Sequence, residues 1–503
     1  MNAKKHAFRI VSLGIAMLLA AGMAGRCRKP QFEPTWESLE NYRCPKWFRD
    51  AKLGIFICWN PYTVPAVDDW YARHMYMQGH RQYQYHLDHY GHPSKFGYKD
   101  IIALWKGEKF DADRMVRLFK QAGAKYIVPM AVHHDNFDLW DSRYHRWNSV
   151  NMGPKKDIVG LWREASLKHG LRFGVTTHLA RSYNWLNTSK GCDSEGPYAG
   201  LPYDGADPDY ADLYHEPHGD TSKRYPRNPS ESWKREWFTR IKDLVDQHHP
   251  DLLYFDGGVP FGKIGLEMIA YYFNDNMRRH NGRLEAVFNI KNMPDGQHGE
   301  YRDGMCVLDL ERGMLGSIRP LPWQNDTSIG PWFWTRDAKY KSPDAIIDAF
   351  VDIISKNGNL LLNVPPKADG MLDDEAEKIL AELGAWTAVN GEAVYSSRPW
   401  RIYGEGPTAF EGGYFKETTK PFTASDIRFT TKGDVLYAFF LDWPLDGVVT
   451  VRSLSQGRVP REISKITLLG HDGDVQWSRD RGGLTVRLPS QRPCDYAYAL
   501  KIE

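Results

Sequence analysis

Leu252-Leu253-Tyr254-Phe255-Asp256-Gly257-Gly258 decides the architecture. Four consecutive apolar residues read as a strand buried on both faces, the pattern of parallel sheets. A carboxylate stands where that strand stops. The two glycines that follow let the backbone turn sharply and leave space beside the acid. In parallel α/β folds, reactive groups collect at the carboxyl ends of strands, because the loops there converge on one open face. Asp256 is therefore either the start of a helix cap or a working carboxylate.

Outward from this stretch, strands and helices alternate between about residues 48 and 395. Residues 54–59 read as a first buried strand. Asp111 can cap a helix whose core face is Met115, Leu118, Phe119 and Ala122, ending at Gly123. Strand 125–132, helix 158–169 closed by Gly170, strand 172–179 and helix 233–248 lead to the Asp256 strand. Apolar runs at 285–290, 305–311 and 360–364, and a weaker one near Thr327, complete about eight β/α units. The expected fold is a (β/α)8-like barrel over residues 35–397, with an open doubly wound sheet as the alternative. No GxGxxG or Walker-type loop follows any strand, so a nucleotide site lacks its phosphate cradle.

Beyond Arg398-Pro399-Trp400 the pattern changes to short alternating runs (435–441, 448–451, 463–469, 475–477, 484–488 and 496–502) separated by Gly, Asp, Ser and Pro. An all-β sandwich over 398–503, packed against the barrel, is expected. Residues 181–229 are polar and aperiodic, which suggests a solvated lid. Asp204, Asp207, Asp209 and Asp212 within it lack EF-hand spacing, and no metal site is expected. Residues 1–24 have the form of an export signal: Lys4, Lys5 and Arg9, an apolar run from Ile10 to Met23, and a small-x-small site at Gly22-Met23-Ala24. The protein is accordingly expected in the periplasm or outside the cell. Cys27 offers a lipoprotein anchor as the lesser option, because Arg26 precedes it. No later segment is apolar enough to span a membrane.

A formal net charge of +2 without a basic stripe argues against nucleic acid as partner. The 18 Trp and 27 Tyr are a surplus of flat faces with polar edges, which suits sugar rings and plain cores alike. The 6 Cys are scattered, with no CxxC pair and no metal-ligand spacing. The sequence leaves the oligomeric state open.

A second strand also ends on acids, Cys306-Val307-Leu308-Asp309-Leu310-Glu311-Arg312. If Leu308 and Leu310 face the helices, Asp309 and Glu311 face inward, with Glu311 nearer the open end. Two carboxylates from different strands facing one cavity are what glycoside hydrolysis needs: one as nucleophile, one to protonate the leaving oxygen and later activate water. The bland alternative for Glu311 is a salt bridge to Arg312 or another base. His133-His134-Asp135 ends the second strand and suits hydrogen bonding of neutral imidazoles to hydroxyls.

These blocks resemble glycoside hydrolase family 29, the retaining α-L-fucosidases. The likeness runs from about Trp47 to the C-terminus. It rests on residues 52–59 and 61–66, Asp69-Trp70-Tyr71 with Met75-Tyr76, and residues 122–126. His133-His134-Asp135, Leu139-Trp140, Trp147-Asn148, residues 359–364 and residues 390–395 complete it. The resemblance implies a barrel followed by a β-sandwich and a cofactor-independent exo-glycosidase. That enzyme would remove terminal α-L-fucose from an oligosaccharide or glycoconjugate by double displacement. Asp256 falls on the nucleophile, and Glu311 is placed as acid/base, with Asp309 as its rival. Trp59, Trp70, His133, His134 and Trp332 would line the sugar pocket. Asp69 belongs to the acid-Trp-Tyr element, Tyr254 takes a position often held by Trp, and Lys291 stands near a usual Arg. Cys58 replaces a common His, and Thr176-Thr177-His178 replaces a typically aromatic pair. These departures keep two alternatives open: a same-fold glycosidase for a related sugar, such as a galactose-configured or sulfated residue, or a decayed carbohydrate-binding protein.

Overall fold

Eight parallel strands close on themselves: β1 (Leu53–Ile57), β2 (Tyr126–Val132), β3 (Arg172–Thr177), β4 (Leu252–Phe255), β5 (Val287–Lys291), β6 (Val307–Asp309), β7 (Trp323–Ser328) and β8 (Gly358–Asn363). Each pairs with the next and β1 also pairs with β8, so no edge is left open. The computed structural model describes residues 31–220, 222, 224–293, 298–409, 411–417, 420–458 and 462–503. The expected export signal and Cys27 lie outside the described residues. No helix among them is long and apolar enough to cross a membrane.

Period-two alternation sorts the strand residues. In β4, Phe255 packs outward against Trp237 at 5.5 Å, while Tyr254 points to the barrel axis, and Asp256, two residues on, shares its side. Capping chemistry sets the helix starts. Asp111 accepts from the Arg114 amide ahead of α1 (Ala112–Gln121), Asp157 from Gly160 ahead of α2 (Ile158–His169), and Ser230 from Trp233 ahead of α3 (Glu231–His248). Gly170, in the left-handed region at φ 69°, stops α2 as expected. α4 (Lys263–Arg279), α5 (Pro343–Ser355) and α6 (Asp374–Val394) complete the outer layer. The (β/α)8 pattern is incomplete, however. Among the described residues no helix follows β5 or β6, where irregular chain joins the strands.

The solvated lid expected over 181–229 is instead built into the barrel's upper face. Asp204 accepts hydrogen bonds from the Tyr76 and Tyr214 hydroxyls, both at 2.7 Å, and Asp193 accepts from Tyr83 and Tyr203, both at 2.5 Å. Asp212 pairs with Arg146 and accepts from Trp147 Nε1 at 2.9 Å. These acids are dispersed among separate partners. Long-range tyrosine–aspartate pairs order the segment, and a local periodicity does not register them.

After α6 the chain enters an antiparallel sheet of order β13-β16-β11-β10-β9 and a smaller one, β12-β15-β14. These strands are β9 (Arg398–Glu405), β10 (Ile427–Lys432), β11 (Val435–Phe440), β12 (Val448–Val451), β13 (Ile466–Leu468), β14 (Gln476–Arg479), β15 (Leu484–Arg487) and β16 (Tyr498–Ile502). Sequence patterning missed β9 and β10. β9 is half-buried at every position but the exposed Arg401 and so does not alternate, and β10 carries a buried charge, Arg428, that breaks its apolar reading. Arg428 Nε meets Asp352 of α5 at 2.6 Å, and Trp386 Nε1 of α6 donates to the Ala497 carbonyl at 2.7 Å. The barrel's hydrophobic core continues into the sheet through Tyr437, Phe439, Ala497 and Ala499.

Candidate active site

A cavity of about 580 Å³ opens at the carboxyl ends of the barrel strands. Lys291, the last residue of β5, stands between two of its walls. Its Nζ donates to Asp256 Oδ1 at 2.6 Å and to Glu311 Oε2 at 2.7 Å. The two accepting carboxylate oxygens are therefore at most about 5.3 Å apart, within the spacing of nucleophile and acid/base in retaining glycosidases. Glu311 makes its ion pair with Lys291. Arg312 turns away to the Gly330 carbonyl at 2.8 Å and the face of Trp332 at 4.9 Å.

Most of the other expected residues gather here. Asp69, Trp70, His133, His134 and Trp332 line the same cavity. The two adjacent histidines both reach it because the β2–β3 register breaks between Met130 and Val132, and the backbone bends as the strand ends. Their ring centroids lie 4.3 Å apart. His134 Nδ1 lies 2.9 Å from the His178 carbonyl oxygen, to which it donates, so Nε2 faces the site as an acceptor, 3.6 Å from Asp256 Oδ2.

Two expected lining residues do not reach the cavity. Trp59 is buried in the helix layer, where it packs on Trp105 and Phe110 at 4.7 and 4.8 Å and donates to the Lys367 carbonyl. Strand alternation is the reason: Phe56 and Cys58 turn inward to the cavity, so Trp59 turns out. Tyr254 does face the axis, but one layer below Asp256. Its hydroxyl is shared between Asp309 Oδ1 at 3.1 Å and Asp326 Oδ2 at 3.0 Å. Asp309 lies in that same sealed layer. It is fully buried, accepts from Gln324 Nε2 at 2.7 Å, and is not among the cavity-lining residues. Glu311, two residues on, is the member of the pair that meets the open space.

Electrostatics separates the two carboxyls. Burial pushes Asp256 upward, but Lys291, His178 and Arg181 outweigh it and hold the group well below the usual carboxylate range. Burial dominates at Glu311 and raises it, with Lys291 opposing. Lys291 resists the burial that would neutralise it because Asp256, Asp326 and Glu311 surround it. Burial drives His133 and His134 well down, helped at His133 by His134 and His178 and at His134 by Arg181 and His178, so both are neutral. Burial raises Asp69.

Sequence reasoning missed four further residues at the cavity. His178 Nδ1 sits 3.0 Å from Asp256 Oδ2. Asp326 of β7 lies 3.7 Å from Lys291 Nζ, and Arg181 follows β3 on the cavity wall. Phe415 arrives from beyond the barrel. Its amide donates to the Glu311 carbonyl at 3.0 Å, while the neighbouring Tyr414 hydroxyl donates to the Asp309 carbonyl at 2.9 Å. His178 had a usable signal, an ionisable residue at the carboxyl end of a strand. Phe415 had none, because only the three-dimensional return of the chain brings it there.

One carboxyl held low and a second pushed up by burial, facing one cavity on a closed parallel barrel, is the arrangement glycoside hydrolysis uses. Comparison with known proteins narrows the class. The alpha-L-fucosidase family pattern matches residues 19–392, and the alpha-L-fucosidase C-terminal domain matches 420–503. The chain belongs to the alpha-L-fucosidase family. It is 29% identical over 508 residues to tissue alpha-L-fucosidase of Homo sapiens, covering 97% of this chain and 96% of that protein. It is 26% identical over 517 residues to alpha-L-fucosidase of Branchiostoma floridae, covering 97% and 99%. The structure of Thermotoga maritima alpha-fucosidase in complex with fucose superposes with a TM-score of 0.72 at 26% identity, over 94% of this chain and 100% of that one.

Proposed function

We propose that the protein hydrolyses terminal α-L-fucosyl linkages with retention of configuration, through Asp256 as nucleophile and Glu311 as acid/base. The Asp256–Lys291–Glu311 bridge carries this reading, because one ammonium sets both the spacing and the charge of the pair. A carboxylate oxygen of Asp256 attacks the anomeric carbon as the bond to the leaving oxygen breaks, and Glu311 transfers its proton to that oxygen. Glu311, now a carboxylate, takes a proton from water, which attacks the anomeric carbon and releases Asp256. The neutral His133 and His134 and the raised Asp69 are placed to exchange hydrogen bonds with ring hydroxyls. Trp70 and Trp332 offer apolar faces.

With an aryl α-L-fucoside, Asp256→Ala should lose about 10⁴-fold or more in kcat. Glu311→Ala should be slowed and partly rescued by azide, which displaces Asp256 from the β-linked covalent intermediate and gives an α-L-fucosyl azide. Near-normal turnover in Asp256→Ala would remove the mechanism, and Asp309→Ala being the slower variant would transfer the acid/base role. A related sugar as true substrate is the second reading. It is favoured by Cys58, whose buried thiol lines the cavity where the resemblance expects an imidazole; a panel of aryl glycosides separates the two. Export is supported by the basic start, apolar run and small-x-small site of residues 1–24. Amino-terminal sequencing of protein from the extracytoplasmic fraction, beginning at residue 25, is the expected result.

A further inference from the structure

Arg181 makes no close ion pair among the described residues, and its nearby opposite charge, Asp256, is already bound by Lys291. Its side chain lines the cavity and is 8% exposed, and its Nε is buried without a hydrogen-bond partner. Among the described residues no carboxylate forms an ion pair with it. The other cations lining the cavity differ. Lys291 is held by Asp256 and Glu311, and Arg81 pairs with Asp68. Arg181 is also held in place, stacked over Trp185 at 5.3 Å. Arg73 covers the same indole at 4.5 Å and is tied to the Trp185 carbonyl at 2.8 Å. Trp185 in turn packs edge-on against Trp70 at 5.1 Å and lies 5.3 Å from the ring of His134. Two largely buried guanidiniums thus flank one indole beside the reacting centre.

A buried cation without a close ion pair is costly, and a donor left unmet inside a binding cavity marks a place where the ligand completes the structure. A sugar hydroxyl would satisfy Nε but leave the guanidinium without a close ion pair. A sulfate ester or carboxylate satisfies both, and the planar guanidinium fork matches either. The cavity of about 580 Å³ leaves room beyond one monosaccharide for the residue that carries such a group.

We propose that Arg181 is an anion-recognising residue of the substrate cavity, and that the preferred substrates are fucosylated glycans bearing a sulfate ester or a carboxylate next to the scissile linkage. The inference rests on the glycosidase reading and specifies its substrate class. Arg181 also helps hold Asp256 ionised, so the informative quantity is a ratio between substrates and not an absolute rate.

The test compares neutral fucosyllactose with its sulfated and sialylated forms, on wild type, Arg181→Gln and Arg181→Lys. Wild type should favour at least one anionic form by about tenfold or more in kcat/KM, and the preference should shrink as salt is raised. Arg181→Gln should bring the ratio close to one, and Arg181→Lys should keep part of it. Which anionic form gains identifies sulfate or carboxylate. A wild-type preference for the neutral glycan, or an Arg181→Gln effect equal on all three, overturns the proposal. Calorimetric titration of the same glycans reads the preference without turnover. Anion-dependent binding with no hydrolysis would sustain Arg181 and sink the glycosidase reading, and binding indifferent to the anion would sink the proposal.

Discussion

Lys291 governs both carboxyl groups, and its removal has a definite sign. It lowers Asp256 and opposes the upward push on Glu311. In Lys291→Met both groups should therefore titrate higher. As the proposed nucleophile Asp256 must be ionised, so the acidic limb of the kcat/KM profile should move up. As the proposed acid Glu311 must be protonated, so the alkaline limb should move up as well, each by about one to three pH units. A profile that only loses height, with both limbs in place, would show that Lys291 does not set these charges. The two tryptophans separate packing from binding. Trp59→Ala should cost about 3–5 kcal/mol of stability in denaturant titration and leave KM nearly unchanged, because its ring is in the helix layer. Trp70→Ala, on the cavity, should do the reverse and raise KM.

At the scale of elements, the turn that ends β4 is the most constrained. Gly257 sits at φ 133°, where a Cβ would lie 2.4 Å from the Tyr225 hydroxyl and 2.9 Å from the His298 carbonyl oxygen. Its own carbonyl accepts from the Lys291 amide at 2.8 Å, tying the end of β4 to the end of β5. Gly257→Ala should therefore lower stability by about 1–3 kcal/mol and reduce kcat more than KM, since it moves Asp256 against Lys291. Thermal melts with kinetics on the same preparation check both. The strands and capped helices were legible because their signals are local: Asp111 starts a helix and Gly170 ends one in the structure as the sequence reads. The 181–229 segment was not, since its aspartates are held by Tyr76 and Tyr83 from far along the chain and by Tyr203 and Tyr214 at a separation no local period encodes.

Across the whole molecule the C-terminal sheets are more than a support. Arg428 and Lys356 both hold Asp352, at 2.6 Å each, inside the interface between α5 and β10. Arg428→Met leaves that carboxylate with one cation in place of two and should cost about 3–5 kcal/mol, measurable as an earlier denaturant midpoint. The segment 411–417 also reaches back over the barrel and places Phe415 on the cavity rim, 57% exposed and at φ 55°. An exposed aromatic held in the left-handed region is suited to stack on the sugar beyond the scissile bond. Phe415→Ala should raise KM several-fold for a fucosylated oligosaccharide and leave an aryl fucoside little changed; equal effects on both would contradict this.

The sequence by itself determined the barrel, the sheet domain after it, and the two acids at the ends of the fourth and sixth strands. Each of these is written in short-range order: apolar runs, caps, and a carboxylate where a strand stops. Only the tertiary structure decided that Trp59 and Tyr254 stand off the cavity, that Glu311 and not Asp309 meets it, and that His178, Arg181, Asp326 and Phe415 belong to it. Those facts depend on the inward or outward turn of single side chains and on segments distant in sequence returning to one place, and neither leaves a mark in the local pattern.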